Sequence, residues 1–327
     1  MVPDTVLAAG AAAAADRDGA TASPADAPFE DLAAAPVLVS PDQDGPGWWA
    51  GAPCALRVGS DTYLAYRLRR PVGQGRGWAN VVARSADGLR FETVSQVGKD
   101  AFDGDSLERP ALVRTPEGRW RLYVSVATPG TRHWRVDLLE ASTPERLADA
   151  APRTVMPGSD LLAVKDPVVV RHEGRWHAFA SCHPLDDPQA TDRMTTEHAT
   201  SDDGVEWTWH GTALAGRPGA WDARGVRVAW VRLTGARPLA WYDGRATAEQ
   251  NWEERTGLAA LTPAGPAAGP VRFTALGDGP VGRSPYGLGG ARYVTTVDAP
   301  GGGTRFYLEV TRPDGSHDLR TVLVPGG

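Results

Sequence analysis

Apolar and polar positions alternate along most of the chain in short runs broken by polar, glycine-containing turns. "KDPVVVRHEGRWHAFASC", residues 165–182, is typical: an apolar run, the turn "HEG", then a second run with an early aromatic. Alternation of period two, rich in Val and aromatic residues, predicts half-buried β-strands joined as hairpins. The phrase returns in "GAPCALRVGSDTYLAYRL", "ERPALVRTPEGRWRLYVSV", "ARGVRVAWVRLTGARPLAWYDG" and "RSPYGLGGARYVTTVD". Aligned on the residue ahead of proline, the five segments begin at Ala52, Arg109, Asp166, Arg224 and Ser284, with no proline after Arg224. Successive spacings are 57, 57, 58 and 60 residues, a period that marks a repeat architecture.

Further strands follow the first two of each unit. "ANVVARSADGLRFETV" and "TTEHATSDDGVEWTWHG" share Ser-x-Asp-Gly, at Ser85, Asp87, Gly88 and at Ser201, Asp203, Gly204. Asp-Gly between alternating runs is a strong hairpin signal, because glycine accepts the positive φ such turns need. The second and fourth units are expected to turn at "ASTPERL" and "LTPAGPAAGPVRF". "TPERLADA" and "TAEQNWEERTG" predict short helical turns and nothing longer. Four strands per unit, five times over, predict an all-β fold: a five-bladed β-propeller of four-stranded antiparallel blades around a central channel. Two β-sandwiches would leave the single period across residues 48–325 unexplained. The expected organisation is a mobile Ala/Gly/Pro-rich leader over residues 1–28 and one propeller domain over 29–327, with blades starting near 51, 108, 165, 222 and 283. The first strand of each blade would line the channel, so the pre-proline positions would gather at one mouth. Proline suits the start of a strand, where no ladder donor is needed.

Composition narrows the partners. The 327 residues are 42% apolar and 23% charged, with a net charge of −6 and no basic run, which argues against nucleic acid. No window approaches the roughly 18 apolar residues of a membrane span. The Ala-rich start has Asp4 where a secretion signal carries positive charge, so a cytoplasmic protein is expected. Cys54 and Cys182 are too few for a disulfide framework and read as buried thiols. Twelve Trp among the aromatics suit both a β-rich core and sugar stacking.

Five units, Asp-Pro or Glu-x-Pro at strand starts and aromatic-led second strands resemble the five-bladed glycosidases: glycoside hydrolase families 32, 43, 62, 68, 117 and 130. The likeness spans residues 48–325. In family 43 an Asp of blade 1 is the base, an Asp-Pro of blade 3 tunes the acid, and a blade-4 Glu is the acid. "KDP" matches the blade-3 motif, which implies that Asp166 tunes the acid or stabilises the transition state; Lys165 is similar to the Arg of the family 32 Arg-Asp-Pro. The sequence departs in blade 1, where Ala52 replaces the Asp, and in blade 4, where "AWDARGVRV" has no Glu-Gly-Pro. "WYDGRATAEQNWEERTGLA" is similar to a Tyr-x-Gly-x-Asp stretch of family 130.

Glycosyl transfer needs two carboxyl groups about the glycosidic oxygen, about 5–5.5 Å apart for retention and about 6.5–9.5 Å for inversion. Asp166, Glu108 and Asp222 begin consecutive blades and are the expected catalytic carboxylates. Asp166 would orient the substrate, and Glu108 and Asp222 would share the acid and base roles. The plainer reading has Asp166 capping backbone amides, Glu108 in an ion pair with Arg109 or Lys165, and Asp222 serving its turn. Arg109, Arg224, Arg245 and Arg283 would hold anionic or hydroxyl groups, or else form a self-neutralising network. Trp48 and Trp49 are either a stacking platform or a plug, and Asp243, Arg245, Glu253 and Glu254 either face the mouth or solvate a loop. His183, Asp186 and Asp187 match no metal signature, and the glycine-rich stretches precede strands rather than helices, so neither metal nor cofactor is expected. The expected function is glycoside hydrolase-like, acting on a small-molecule glycoside or oligosaccharide in the axial funnel. The alternatives are an inactive carbohydrate-binding pseudoenzyme, or a biosynthetic enzyme that reuses the funnel. Oligomeric state is left open.

Overall fold

Period-two patterning resolves into strands wherever it was strongest. The computed structural model describes residues 23–235, 237–262 and 271–326. Residues 1–22 of the expected leader, and most of the turn in "LTPAGPAAGPVRF", lie outside the described residues. A short strand β1 (Val37–Val39) comes first. One unit then comprises β2 (Trp49–Val58), β3 (Asp61–Arg69), β4 (Gly77–Ser85) and β5 (Glu92–Gly98). The next has β6 (Leu107–Arg114), β7 (Trp120–Ala127), β8 (Trp134–Ala141) and β9 (Arg153–Met156). A third holds β10 (Leu162–His172), β11 (Arg175–Pro184), β12 (Thr195–Ser201) and β13 (Thr208–Leu214). Then come β14 (Gly225–Arg232), β15 (Leu239–Arg245), β16 (Arg255–Thr262) and β17 (Arg272–Leu276), and last β18 (Ala291–Asp298), β19 (Thr304–Thr311) and β20 (His317–Val324). Consecutive strands within each unit pair antiparallel, and β1 pairs antiparallel with β20. Single parallel pairs, Arg255↔Ala291 and Trp49↔His317, link neighbouring units, so pairing gives one sheet of twelve strands and two of four. The helical stretches predicted at 143–150 and 247–257 are 3₁₀ turns at Pro144–Asp149 and Ala248–Gln250. No helix among the described residues is long and apolar enough to cross a membrane.

The core lies between units rather than within one. Leu122 and Val124 of β7 pack with Tyr63 and Val82 of the unit before; Val168 and Phe179 pack with Val226 and Tyr242 of the unit after. Tyr307 and Leu319 close against Ala55 and Leu64 of β2 and β3. Both faces of each unit therefore meet apolar neighbours, which is why these strands carry so few outward polar positions. Cys54 and Cys182 are buried free thiols, both raised in pKa by burial.

The first strands neighbour one another, β2 against β6 and β18, β6 against β10, β10 against β14, and β14 against β18. Each breaks register once, at Gly51/Cys54, Leu107/Pro110, Lys165/Val168, Val228/Trp230 and Arg292/Thr295. Two sequence expectations change here. The fifth unit's first strand begins at Ala291, so its bulge residue is Tyr293, and Ser284 precedes the strand. In the fourth unit β14 starts after Arg224, and the inward guanidinium is Arg227. The packed body also begins ahead of the expected boundary at 28. Asp26 is buried, pairs with Arg232 at 3.0 Å and accepts the Trp241 indole N–H at its carbonyl.

Candidate functional site

Asp166 sits in the bulge of β10 with φ at 51°, a left-handed conformation that Asp tolerates better than most residues and that costs about 1–3 kcal/mol. Its side chain is fully buried. Oδ1 accepts the Arg109 backbone N–H at 3.1 Å, and Oδ2 accepts from Arg227 Nη1 at 3.1 Å, with Lys165 Nζ at 3.8 Å. The Tyr293 hydroxyl lies 3.4 Å from Oδ2, and the Asp166 N–H donates to Ser125 Oγ at 2.7 Å. One carboxylate thus ties four units together. Burial pushes its pKa up, but Lys165, Arg227 and Arg67 outweigh that and hold it below the ordinary range.

The neighbouring charges form a chain. Glu108, at the bulge of β6, pairs with Arg67 and, at 3.0 Å, with Arg69, both from β3. Arg67 reaches Glu309 of β19 at 2.9 Å; Arg292 of β18 binds Glu309 at 2.7 Å and Glu254 at 2.6 Å. Glu254 also pairs with Arg245, and Arg227 binds Asp243 at 2.8 Å. His317 completes the set with Nδ1 2.7 Å from Glu309. With Arg109, six buried guanidiniums face five buried carboxylates. Buried charge survives when paired and hydrogen-bonded, and losing one partner costs about 3–5 kcal/mol. Despite burial, the arginines hold Glu254 and Glu309 far below the ordinary range, whereas burial pushes Asp243 up against the pull of Arg227.

Above this layer opens a cavity of about 350 Å³ whose wall includes Glu108, Lys165, Asp192, Arg76, Trp134 and Trp252. Lys165 Nζ stands 4.9 Å over the Trp134 ring, and Arg69 stands 4.9 Å over Trp252. Burial lowers the Lys165 ammonium to about 8, although Asp166 favours its charge. His183, also in the wall, falls to about 3 through burial and the nearby Lys165. Its Nδ1 lies 2.8 Å from the Thr191 carbonyl. Among the described residues no group of His, Cys, Asp and Glu is placed to hold a metal ion.

The candidate residues divide accordingly. Glu108, Lys165 and Asp166 converge on the cavity and its floor, and Glu108 pairs with Arg67 and Arg69 rather than with Arg109 or Lys165. Trp49 is buried, stacked on His317 at 4.6 Å beneath Arg69 and Arg292; Trp48 is half-buried and accepts the His317 N–H at its carbonyl. Arg109 turns to the Pro53 carbonyl, and its Nη1 has no hydrogen-bond partner among the described residues. Asp243, Arg245 and Glu254 lie in the buried network. Asp222, Arg224 and Arg283 stand outside both the cavity wall and this network. Asp222 is gripped by Arg217 at 2.9 Å and the Tyr242 hydroxyl at 2.8 Å, and Arg224 is held by both oxygens of Asp192. Arg283 lines a separate groove of about 810 Å³.

Sequence reasoning passed over Arg67, Arg227, Arg292 and Glu309, the centre of the network. Their signal was present: in "YLAYRL", "GVRVAW", "ARYVTT" and "FYLEVT" one charge stands inside a mostly apolar stretch of strand.

No protein-family profile matches the chain, and no curated protein matches it. Solved structures match in fold. One concerns the GH130 family of mannoside phosphorylases, containing hydrolases of β-1,2 mannosidic linkages in Candida mannan; identity is 16%, TM-score 0.62, and the match covers 91% of this chain and 95% of that one. A glycosyl hydrolase from Bacteroides ovatus matches at 14% identity and TM-score 0.63, covering 91% and 93%. The GH43_1 enzyme from Xanthomonas citri, complexed with xylose, matches at 12% and 0.61, covering 89% and 90%. In fold, then, this chain is similar to solved glycoside hydrolase and phosphorylase structures.

Proposed function

We propose that the five units are blades of one closed propeller, with β1 completing the last blade, and that the cavity over Asp166 receives a glycoside on which the protein acts by glycosyl transfer. The observation that carries this reading is the convergence of Glu108 and Lys165 on one cavity walled by Trp134 and Trp252. Indole faces stack on sugar rings, and the two charged groups divide the proton work. Glu108, held in place by Arg67 and Arg69, takes a proton from attacking water. Lys165, titrating near neutrality, gives its proton to the leaving oxygen as the glycosidic C–O bond breaks, and solvent then returns the proton from Glu108 to Lys165. Asp166 orients Lys165 from below at 3.8 Å. This assigns the acid role to Lys165 in place of Asp222, which is engaged by Arg217 and Tyr242. The likeness to glycoside hydrolases and phosphorylases supports the substrate class.

A second reading, binding without cleavage, is favoured by Ala52 in the first unit, where the resemblance implies an Asp, and by the absence of Glu-Gly-Pro from "AWDARGVRV" in the fourth. Incubation with aryl glycosides and mixed oligosaccharides, with and without phosphate, beside Glu108→Gln and Asp166→Asn variants separates the two. Turnover by the native chain, reduced about 100-fold or more in Glu108→Gln, is the expected result. Sugar binding by calorimetry with no product from any substrate would establish the binder.

A further inference from the structure

We infer that the axial cavity selects a glycoside carrying an anionic substituent, a carboxylate or sulfate on the sugar itself, with Arg76 and Lys165 as its receptors. The inference rests on the reading of this cavity as a glycoside site.

Charge on the cavity wall is lopsided. Its two carboxylates are already engaged: Glu108 with Arg67 and Arg69, and Asp192 with Arg224 at 2.7 Å and Arg245 at 3.8 Å. Of the cations, Lys165 faces Asp166 from above at 3.8 Å, and the two arginines are not engaged. Neither Arg76 nor Arg132, both in the wall, has an ion-pair partner among the described residues. Arg76 leaves a buried Nε with no hydrogen-bond partner, and Arg69 behind it, only 2% exposed, does the same. Burial and the neighbouring Arg67, Arg76 and Arg292 hold the Arg69 pKa well below its ordinary value. Such an excess of cations in a concave pocket concentrates positive potential where a ligand enters.

Geometry narrows the ligand further. The Trp134 ring carries Lys165 at 4.9 Å and Arg76 at 5.9 Å, so a sugar ring stacked beside it meets both cations. A neutral sugar offers them only hydroxyls. A carboxylate or sulfate accepts two parallel hydrogen bonds from a guanidinium fork and a third from the ammonium. Carboxylate and sulfate share this chemistry, and free phosphate would share it without any sugar.

Calorimetric titration of the full chain tests the inference with four probes: a uronic-acid oligosaccharide, its neutral hexose counterpart, a sulfated counterpart and inorganic phosphate alone. We expect one or both acidic sugars to bind at least about tenfold tighter than the neutral one, the difference one charge-assisted hydrogen bond supplies. That advantage should shrink as salt rises, vanish in Arg76→Gln and persist in part in Arg76→Lys, with circular dichroism verifying that both variants fold. Equal affinity for the neutral sugar, or an unchanged preference in folded Arg76→Gln, overturns the inference and leaves the glycoside site standing. Phosphate alone binding as tightly as the acidic sugars overturns it as well. Binding of no sugar at all overturns both the inference and the reading beneath it.

Discussion

An ammonium held beside Asp166 and over an indole loses its proton where a free lysine keeps it. Lys165 releases it near 8 because burial disfavours the charged form, and Asp166 restores only part of the loss. The unfolded chain holds that proton up to about 10.4, so between the two values the unfolded state binds more protons and this group's contribution to stability rises with pH. Function should run the opposite way. Turnover, or acidic-sugar affinity, that needs the charged amine is complete below neutrality and falls as pH rises through about 8. Lys165→Arg keeps a charge across that range but has no proton to give, so it should carry the loss of acidic-sugar affinity to higher pH while turnover is lost at every pH. A pH profile of kcat, or of Kd where there is no turnover, checks this; a native profile flat to pH 9 removes Lys165 from the chemistry.

At the scale of elements, turns and side-chain ladders join one unit to the next. In both Ser-x-Asp-Gly turns the Asp carboxylate accepts two backbone N–H groups, from Leu89 and Arg90 at Asp87 and from Val205 and Glu206 at Asp203. The glycine carbonyls of these turns accept tyrosine hydroxyls from neighbouring units, Tyr307 to Gly88 at 3.0 Å and Tyr123 to Gly204 at 2.7 Å. Four histidines run across the third unit from β10 to β13, and one of them reaches the next unit. His172, His177, His198 and His210 follow one another at ring separations of 5.9, 5.3 and 5.2 Å, and His198 stacks on Phe179. The Val271 N–H donates to His198 Nδ1 at 3.3 Å, so neutral His198 carries its proton on Nε2 and donates to His177 Nδ1 at 3.0 Å. A second proton on His198 would point at the Val271 amide. Burial and the adjacent His177 and His210 lower His198 to about 3, while the unfolded imidazole titrates near 6.5. Stability is therefore complete above about 6.5 and declines as pH falls toward 3, ahead of the acidic groups. Urea midpoints measured from pH 7 to 4 should fall steadily in the native chain and less steeply in His198→Phe. His183, shifted for a similar reason, leaves a residual slope. An unchanged slope in His198→Phe would remove this ladder as the cause.

For the whole molecule, local chemistry was readable and distant pairing was not. Proline after Asp166, Asp-Gly after β4 and the period near 57 residues are contiguous signals, and they located most of the strands. Ser284-Pro285 carried the same local signal without the strand, which shifted the fifth unit by several residues. Asp222 and Arg224 looked like Asp166 by position, but Arg217, five residues ahead, grips Asp222, and Tyr242 and Asp192 come from other segments that no spacing reveals. Least readable of all was β1, three residues in a proline-rich stretch whose partner β20 lies some 280 residues later. That pairing covers an edge of β20 that would otherwise stay open, as the proposed closed ring requires. It is reinforced by Phe29 and Leu32, buried among Leu239, Trp241 and Phe306, and by Arg320, which donates to the Leu32 and Ala33 carbonyls. A chain beginning at residue 41 loses both apolar side chains, about 1.5–3 kcal/mol each. For a domain of this size that predicts a thermal midpoint lower by about 5–10 °C. A peptide spanning residues 23–40, added in trans, should recover much of the loss by reoccupying β20. If the shortened chain melts at the native temperature, this segment does not close the molecule, and the last unit must be stable as three strands with β20 as a free edge.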